Sequence, residues 1–481
     1  AIVSFTSFLK FLVGPTLAFL ILQFDIPGLP NEGQNMLAVA IVMAVWWATE
    51  ALPLAVTSLT PIILLPALDI MSMAQTTGSY THPVTFLLFG GFVLALAIER
   101  CGLHIRAAYG FLSLIRAQAR YLVAVLMGVS AVTSMWISNT ATTLMLLPVA
   151  ISVTRMMRQH LTGLTAKQLN DFDVSVFLGL AFGATLGGMA TMIGTAPNAF
   201  AVGFIQTTYN IEIGFLDWMM FAVPLILVML PLVWFVLTRM TNPVSFAITP
   251  DTQQEMRRHY HELGALSTYE KRVLGVFVVT VLAWISRKHI VGALGISGIT
   301  DTTVAIGAVF LLFTVPAGDR DGALLDWSDL TRMPWGVLLL FGGGFALASG
   351  ISDSGLSNWI GAQLSVVAAA PLVVILLCLV ALIVFLTEIT SNTATTTTFL
   401  PVIAALALEI GQPPLMLIIP APLAASCACM FPVATPPNAI VFGSGQVNIA
   451  NMVRAGFWIN LLGVGVLTLL ALYLVPRILS V

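Results

Sequence analysis

"TSNTATTTTFLPV", residues 390–402, places eight hydroxyl- or amide-bearing side chains inside a long apolar region. A second stretch, "ISNTATTLMLLPV", residues 137–149, repeats it: Ser-Asn-Thr-Ala-Thr-Thr, then apolar residues, then Leu-Pro-Val. On a soluble protein such clusters would be ordinary surface. Of the 481 residues here, 58% are hydrophobic and 8% charged, where a soluble domain carries about 25% charged residues. Mean hydropathy is +1.00. This is the composition of a polytopic membrane protein, and both clusters fall where membrane helices belong. Lys and Arg are too few and scattered for a nucleic-acid surface.

Apolar segments of spanning length recur near 10–27, 35–53, 55–70, 84–99, 174–207, 215–238, 271–290, 300–316, 334–351, 413–445 and 452–476. The chain begins at Ala1 rather than at Met, so a few residues are expected to precede it. The run after Lys10 reads as a span and not a signal peptide, because no small-residue cleavage site follows. Stretches 121–154 and 368–408 are apolar too, but each is interrupted near its middle by a Ser-Asn-Thr cluster. Polar residues 241–270, with Pro243 and Pro250, read as a linker, and His259 and His261 as part of a solvated loop.

The two sides of that linker repeat one another. Phe341 of "FGGGFALASGISDSGL" follows Phe89 of "FGGFVLALAIERCGL" by 252 positions, Asn392 follows Asn139 by 253, and Pro437 of "VATPPNA" follows Pro197 of "IGTAPNA" by 240. Three motifs in one order at nearly constant offset indicate duplication. Charge gives orientation. Arg100, Arg106, Arg116 and Arg120 precede the first cluster, and Arg155, Arg158 and Lys167 follow it. Both ends of 121–154 therefore belong on the cytoplasmic side, which makes it a re-entrant hairpin with its tip at residues 138–140. From Asp353 to Pro414 there is no Lys or Arg, so the second hairpin enters from outside. Arg287 and Lys288 fall on the outer side against this bias.

The expected fold is all-α and polytopic, with about 11 transmembrane helices plus two re-entrant helical hairpins in an inverted-topology repeat. Its parts are an N-terminal span (1–34), a first repeat (35–240), a cytoplasmic linker (241–270) and a second repeat (271–481). The repeats hold hairpins 121–154 and 368–408 and broken helices 174–207 and 413–445.

A hairpin tip at bilayer depth exposes backbone groups without helical partners, so it must face protein, water or ligand. The arm after each tip is expected to begin at Thr140 or Thr393, with Ser and Asn before it as caps. Its N-terminus carries partial positive charge and free N–H groups. Two tips meeting near the midplane suit an anion with two negative ends. Pro197, Pro436 and Pro437 break the neighbouring apolar spans and free backbone carbonyls. Carbonyls and hydroxyls together form a hard-ligand set matched to sodium.

The paired Ser-Asn-Thr and Pro-Asn-Ala motifs resemble the divalent anion:sodium symporter family over nearly the whole chain, from about residue 35 onward. The resemblance implies one sodium site from Ser134, Ser138, Asn139 and the Gly194 carbonyl. It implies another from Thr387, Ser391, Asn392 and the Ala434 carbonyl. Substrate would meet Ser138, Asn139, Thr140, Ser391, Asn392 and Thr393, with Thr195, Thr435 and Pro436 lining the cavity. It further implies a homodimer in the inner (plasma) membrane. There a transport domain moves like an elevator and carries a small dicarboxylate, of which C4 acids such as succinate fit best. Sodium ions are the coupling ions and no other cofactor is expected. Sodium-independent anion exchange is the alternative mechanism, and citrate and sulfate are alternative substrates.

Other readings are weaker. The four cysteines lie in or beside apolar runs, and Cys427-Ala428-Cys429 lacks the further Cys or His of a metal set. "HELGA" at 261–265 opens like a zincin motif but ends in Ala265, and no Gly-x-Ser-x-Gly is present, so an intramembrane hydrolase has no support. A channel would use similar polar linings, and accumulation against a gradient separates it from a transporter. Glu50 is expected at the membrane boundary. Glu388, whose counterpart in the first copy is Met135, is an intramembrane carboxylate that either engages partners or tunes the second ion site.

Overall fold

The computed structural model describes residues 5–114, 118–160, 163–295, 298–319 and 321–478. Arg116 lies outside them. The described residues are helical throughout, with only two isolated β-bridges, Gln118 to Ala247 and Pro316 to Ala323. Helices α1 (Phe5–Gln23) and α2 (Asn31–Thr49) form an antiparallel pair. The single span expected over 55–70 is two short helices, α3 (Leu54–Thr57) and α4 (Thr60–Ala67). Pro61 has no N–H to continue the first into the second.

After α5 (Met73–Gly78), helix α6 (Pro83–Cys101) spans, and α7 (Leu103–Leu112) turns away at Gly102, whose φ of 73° suits glycine. Hairpin one is α8 (Ala119–Ser134) and α9 (Asn139–His160). The broken helix is α10 (Ala166–Met189) and α11 (Ala196–Tyr209), and α12 (Phe215–Phe235) ends in a π turn over Val236–Thr241.

The polar stretch 241–270 is not simply loop. Thr249 caps α13 (Pro250–Glu262), Met256 is buried, and His259 stacks on Tyr109 with ring centroids 5.4 Å apart. The expected loop around His259 and His261 is therefore a helix docked on α7. Its apolar stripe is too thin to show in the sequence.

Beyond it come α14 (Thr268–Leu294), α15 (Asp301–Thr314), α16 (Trp335–Asp353) and α17 (Leu356–Gln363). Hairpin two is α18 (Leu372–Leu386) and α19 (Asn392–Glu409). Proline divides 413–445 into α20 (Pro414–Ile418), α21 (Pro420–Ser426) and, after a break, α22 (Pro436–Gly443). Helices α23 (Ile449–Tyr473) and α24 (Val475–Ile478) close the described chain. Among the described residues, seven helices are long and apolar enough to cross a bilayer, and shorter apolar ones accompany them.

Polar contacts gather the helix ends into two layers. In the first, Lys10 Nζ donates to Thr49 O at 3.2 Å, Arg100 pairs with Asp329, Arg106 Nε donates to Glu270 at 3.1 Å, and Arg158 Nε donates to Asp173 at 2.9 Å. In the second, Trp359 Nε1 donates to Pro27 O at 3.1 Å and Thr207 meets His82 at 3.2 Å. The second layer also holds Arg287 and Lys288. Arg287 is bound by Glu212 and Asp301 at 2.9 and 2.7 Å, and Lys288 by Asp217 at 2.7 Å. Both of these cations are paired with carboxylates.

Hairpin one has both open ends in the first layer. Ala119 N donates to Phe246 O at 3.0 Å, and Arg158 on α9 reaches Asp173 near the start of α10. Hairpin two opens at the second layer, where α17 packs along α19 and Gly361 lies against Ala405 and Glu409.

Helices α8 and α10 run parallel in fixed register. Gly179 packs on Val123, Gly183 on Met127, Gly187 on Ala131, and the Thr191 hydroxyl donates to Met135 O at 2.5 Å. A Cβ at Gly183 or Gly187 would strike the backbone of α8. Small residues at every fourth position thus allow backbone-to-backbone packing, and both helices end at one depth.

Candidate substrate and ion site

Each hairpin tip is built the same way. Ser138 and Ser391 are the caps: Ala141 N donates to Ser138 Oγ at 3.3 Å, and Ala394 N donates to Ser391 Oγ at 3.5 Å. Asn139 and Asn392 are the first helical residues, so the expectation that both Ser and Asn precede the arm is corrected by one position. One cap oxygen satisfies one orphan N–H and leaves the others for a ligand.

Behind each tip a hydroxyl fixes the asparagine. Ser134 Oγ donates to Asn139 Oδ1 at 2.7 Å, and Thr387 Oγ1 donates to Asn392 Oδ1 at 2.6 Å. Ser134 and Thr387 are buried, whereas the tip residues are half-buried. Gly194 lies against Ser134 O and Gly188, and a Cβ at Gly188 would collide with the Asn139 amide. Ser134, Asn139 and Gly194, three members of the set that the family resemblance implies, are therefore brought together. Thr387 also reaches Ala425 O at 2.9 Å, which ties the second tip to α21.

Two residues that the sequence reading did not single out organise the breaks. Asn198 Nδ2 donates to the carbonyls of Gly188, Met189 and Thr191 at 3.2, 3.1 and 2.8 Å. Asn438 Nδ2 donates to Ala428 O and Phe431 O at 3.3 and 3.1 Å. Each is the Asn of a Pro-Asn-Ala motif reaching back ten residues. The signal was present in the repeated motif, but it was read as marking the helix break and not its clamp.

Hairpin and break are cross-tied in opposite senses in the two copies. In the first, Thr191 on the break donates to Met135 O and accepts from Gly194 N at 3.0 Å. In the second, Glu388 on the hairpin accepts from the N–H groups of Cys429, Met430 and Phe431 at 2.8–3.0 Å, and from Asn460 Nδ2 at 2.6 Å. Glu388 is 2% exposed. Its carboxylate is an internal anion seated on successive backbone donors, so it engages partners and does not line the cavity.

Both tips face one cavity of about 960 Å³. All nine expected substrate-contact residues line it: Ser138, Asn139, Thr140, Thr195, Ser391, Asn392, Thr393, Thr435 and Pro436. Gly194 and Ala434 line it as well, while Ser134 and Thr387 stand behind the tips. The floor is neutral, made of hydroxyls, amides, carbonyls and the first turns of α9 and α19. Such a surface can hold an anion on helix N-termini and a hard cation on oxygens. Glu50, at the end of α2, lies on the rim.

The family model described as the sodium:sulfate symporter transmembrane region matches residues 6–479, and the chain belongs to that family. It is a multi-pass membrane protein of a transporter family and not an enzyme. The chain is 38% identical over 475 residues to the sodium-dependent dicarboxylate transporter SdcS of Staphylococcus saprophyticus, covering 98% of this chain and 92% of that protein. It is 38% identical over 477 residues to SdcS of Staphylococcus aureus, covering 98% and 91%. Among solved structures, the YdaH transporter of Alcanivorax borkumensis superposes with a TM-score of 0.58 at 14% identity, over 92% of this chain and 98% of that one. MtrF of Neisseria gonorrhoeae superposes with a TM-score of 0.56 at 13% identity, over 95% and 97%. At such identities the likeness concerns fold alone, and the fold is the helical polytopic one expected from the sequence.

Proposed function

We propose that this protein is a secondary transporter of the inner (plasma) membrane that couples sodium entry to dicarboxylate uptake, with C4 acids such as succinate as the favoured substrates. The carrying observation is that two Ser-Asn-Thr tips present the first turns of α9 and α19 to a single cavity. A dianion spanning two helix N-termini is stabilised at both ends. The names of the SdcS relatives support both the sodium and the dicarboxylate.

In this reading Ser134, Ser138, Asn139 and the Gly194 carbonyl take one sodium, and Thr387, Ser391, Asn392 and the Ala434 carbonyl take the other. Sodium draws each tip onto its break. The ordered tip then offers its N–H groups and the asparagine NH₂ to the substrate. The layer rich in Lys and Arg faces the cytoplasm, the halves form an inverted repeat, and the cavity opens inward. The hairpins and half-helices move together as the elevator, against a scaffold that pairs in a homodimer.

Uptake of labelled succinate into proteoliposomes, with and without an inward sodium gradient, tests the proposal. Accumulation only with the gradient, competed by fumarate and malate, is expected. Gradient-independent counterflow would make the protein an exchanger. Competition by sulfate or citrate alone would change the substrate class.

A further inference from the structure

The cavity's charged lining is confined to Glu50, Glu99 and Arg332. All three sit at first-layer helix ends: Glu50 after α2, Glu99 near the end of α6, and Arg332 just before α16. The floor, formed by the two tips and the breaks, has no charged side chain among these lining residues. An anion in the cavity therefore meets one cationic side chain, and only at one mouth.

Arg332 is held ready for that contact. It ends the short turn Trp327–Arg332, which is fixed to α6 by the Arg100–Asp329 ion pair. Asp326 N donates to Asp329 at 2.8 Å, and Trp335 Nε1 donates to Leu330 O at 3.0 Å, which locks the turn onto α16. Arg332 itself is exposed and has no ion pair among the described residues, whereas Arg100, Arg106, Arg158 and Arg287 all do. Its guanidinium has donors to offer and a planar fork suited to a carboxylate. The neighbouring carboxylates oppose it. Glu99 shares the rim, and Glu50 follows Thr49, whose carbonyl accepts from Lys10. With two carboxylates on the same rim, attraction for an anion is local to the Arg332 guanidinium, and the carboxylates oppose its retention.

We infer that Arg332 is a side-specific anion-binding residue: it receives and releases the dicarboxylate at the first-layer mouth and takes no part in binding from the opposite membrane face. This rests on the transport reading above, since it assigns a residue to the same cavity. The cost of removing an exposed rim charge is modest and falls on encounter and weak binding.

The test uses full-length protein in proteoliposomes, with orientation fixed by blocking one population with an impermeant thiol reagent at an introduced cysteine. Half-saturating succinate is measured separately from each face. Arg332→Gln is expected to raise the value about fivefold from the face bearing Arg332 and leave the other face and the sodium dependence unchanged. Arg332→Lys should retain most of the native value, and Glu99→Gln should lower it on the same face. Added salt should shrink the wild-type difference. Equal shifts from both faces, no shift from either, or inactivity of Arg332→Gln alongside active Arg332→Lys would overturn the assignment. Failure of wild-type protein to transport succinate would instead overturn the functional reading beneath it.

Discussion

The Ser134 hydroxyl donates to the Asn139 amide oxygen at 2.7 Å, across the four residues, 135–138, that join the two arms of the first hairpin. The bond fixes which end of the amide is which. Its oxygen is turned toward Ser134, and Asn139 itself lines the cavity, where the proposed function gives its nitrogen to the substrate. Thr387 Oγ1 lies 2.6 Å from Asn392 Oδ1 and 2.9 Å from Ala425 O, so its single proton is shared between the two acceptors. A hydroxyl with its proton so committed still has lone pairs for a cation.

Removing either hydroxyl should free the amide and take an oxygen from the ion set. Ser134→Ala and Thr387→Val are each expected to raise the sodium concentration for half-maximal uptake by about tenfold, the size of one lost hydrogen bond to a buried acceptor. Thr387→Ser should stay near native. The check is a sodium titration of succinate uptake at matched protein insertion. Unchanged sodium dependence in both variants would remove these hydroxyls from the ion sites.

Two glycines on α10 separate packing from function. A Cβ at Gly183 meets the Met127 backbone, which belongs to a helix interior and cannot swing aside. Gly183→Ala should therefore destabilise the fold by about 1–3 kcal/mol, seen as a lower thermal midpoint in detergent. A Cβ at Gly188 meets the side chain of Asn139, which can move. Gly188→Ala should leave the midpoint close to native and weaken substrate binding severalfold. Equal loss of stability in both would mean that Gly188 only packs.

Much of this was legible in the residues themselves. Two polar clusters, each followed by a Pro-Asn-Ala break, marked the hairpins, the broken helices and the cavity lining, because a tip at bilayer depth needs polar side chains and those stand out in an apolar sequence. What escaped was set by contacts between distant elements. Glu388 was visible as an intramembrane carboxylate, yet its donors lie 41 to 72 positions away, at residues 429–431 and Asn460. Nothing local distinguishes a carboxylate seated on such donors from one facing a pore. The α13 helix was hidden for a different reason: it covers α7 with little beyond Met256 and Thr252 buried, too sparse a stripe for its period to register.

Orientation can be tested independently of transport. Arg158, half-exposed beside Asp173, and Asp353, at the end of α16, belong to opposite layers. Single cysteines at these positions in a background without native cysteines are expected to react with an impermeant maleimide from the cytoplasm at residue 158 and from outside at residue 353. Labelling of both from one side would contradict the opposed hairpins.

Asn139 and Asn392 carry the sharpest consequence. Each amide oxygen lies against a hairpin hydroxyl, and each asparagine lines the cavity. In the proposed function the amide nitrogen is offered to the cavity, so one side chain would join the cation's oxygen set to the anion's donor set, and that shared contact would give coupling a physical basis. Sodium on the oxygen would order the tip, and the ordered tip would present the NH₂ and the first N–H groups of the helix to a carboxylate. Asn→Asp keeps the size and the oxygen, but it replaces the donor by an acceptor and sets a negative charge against an anionic substrate. Asn139→Asp and Asn392→Asp should each weaken succinate binding by at least about a hundredfold, since a neutral donor to a charged carboxylate is lost and a like charge gained. Sodium binding alone, followed by sodium-dependent protection of a tip cysteine, should survive better, because a carboxylate still suits the cation. Ser138→Ala and Ser391→Ala should show the reverse pattern, with sodium dependence shifted and substrate affinity at saturating sodium nearly kept. If both Asn→Asp variants moved succinate with native affinity and sodium dependence, the repeated clusters would serve only to join helices, and the coupling site would have to lie elsewhere in the cavity.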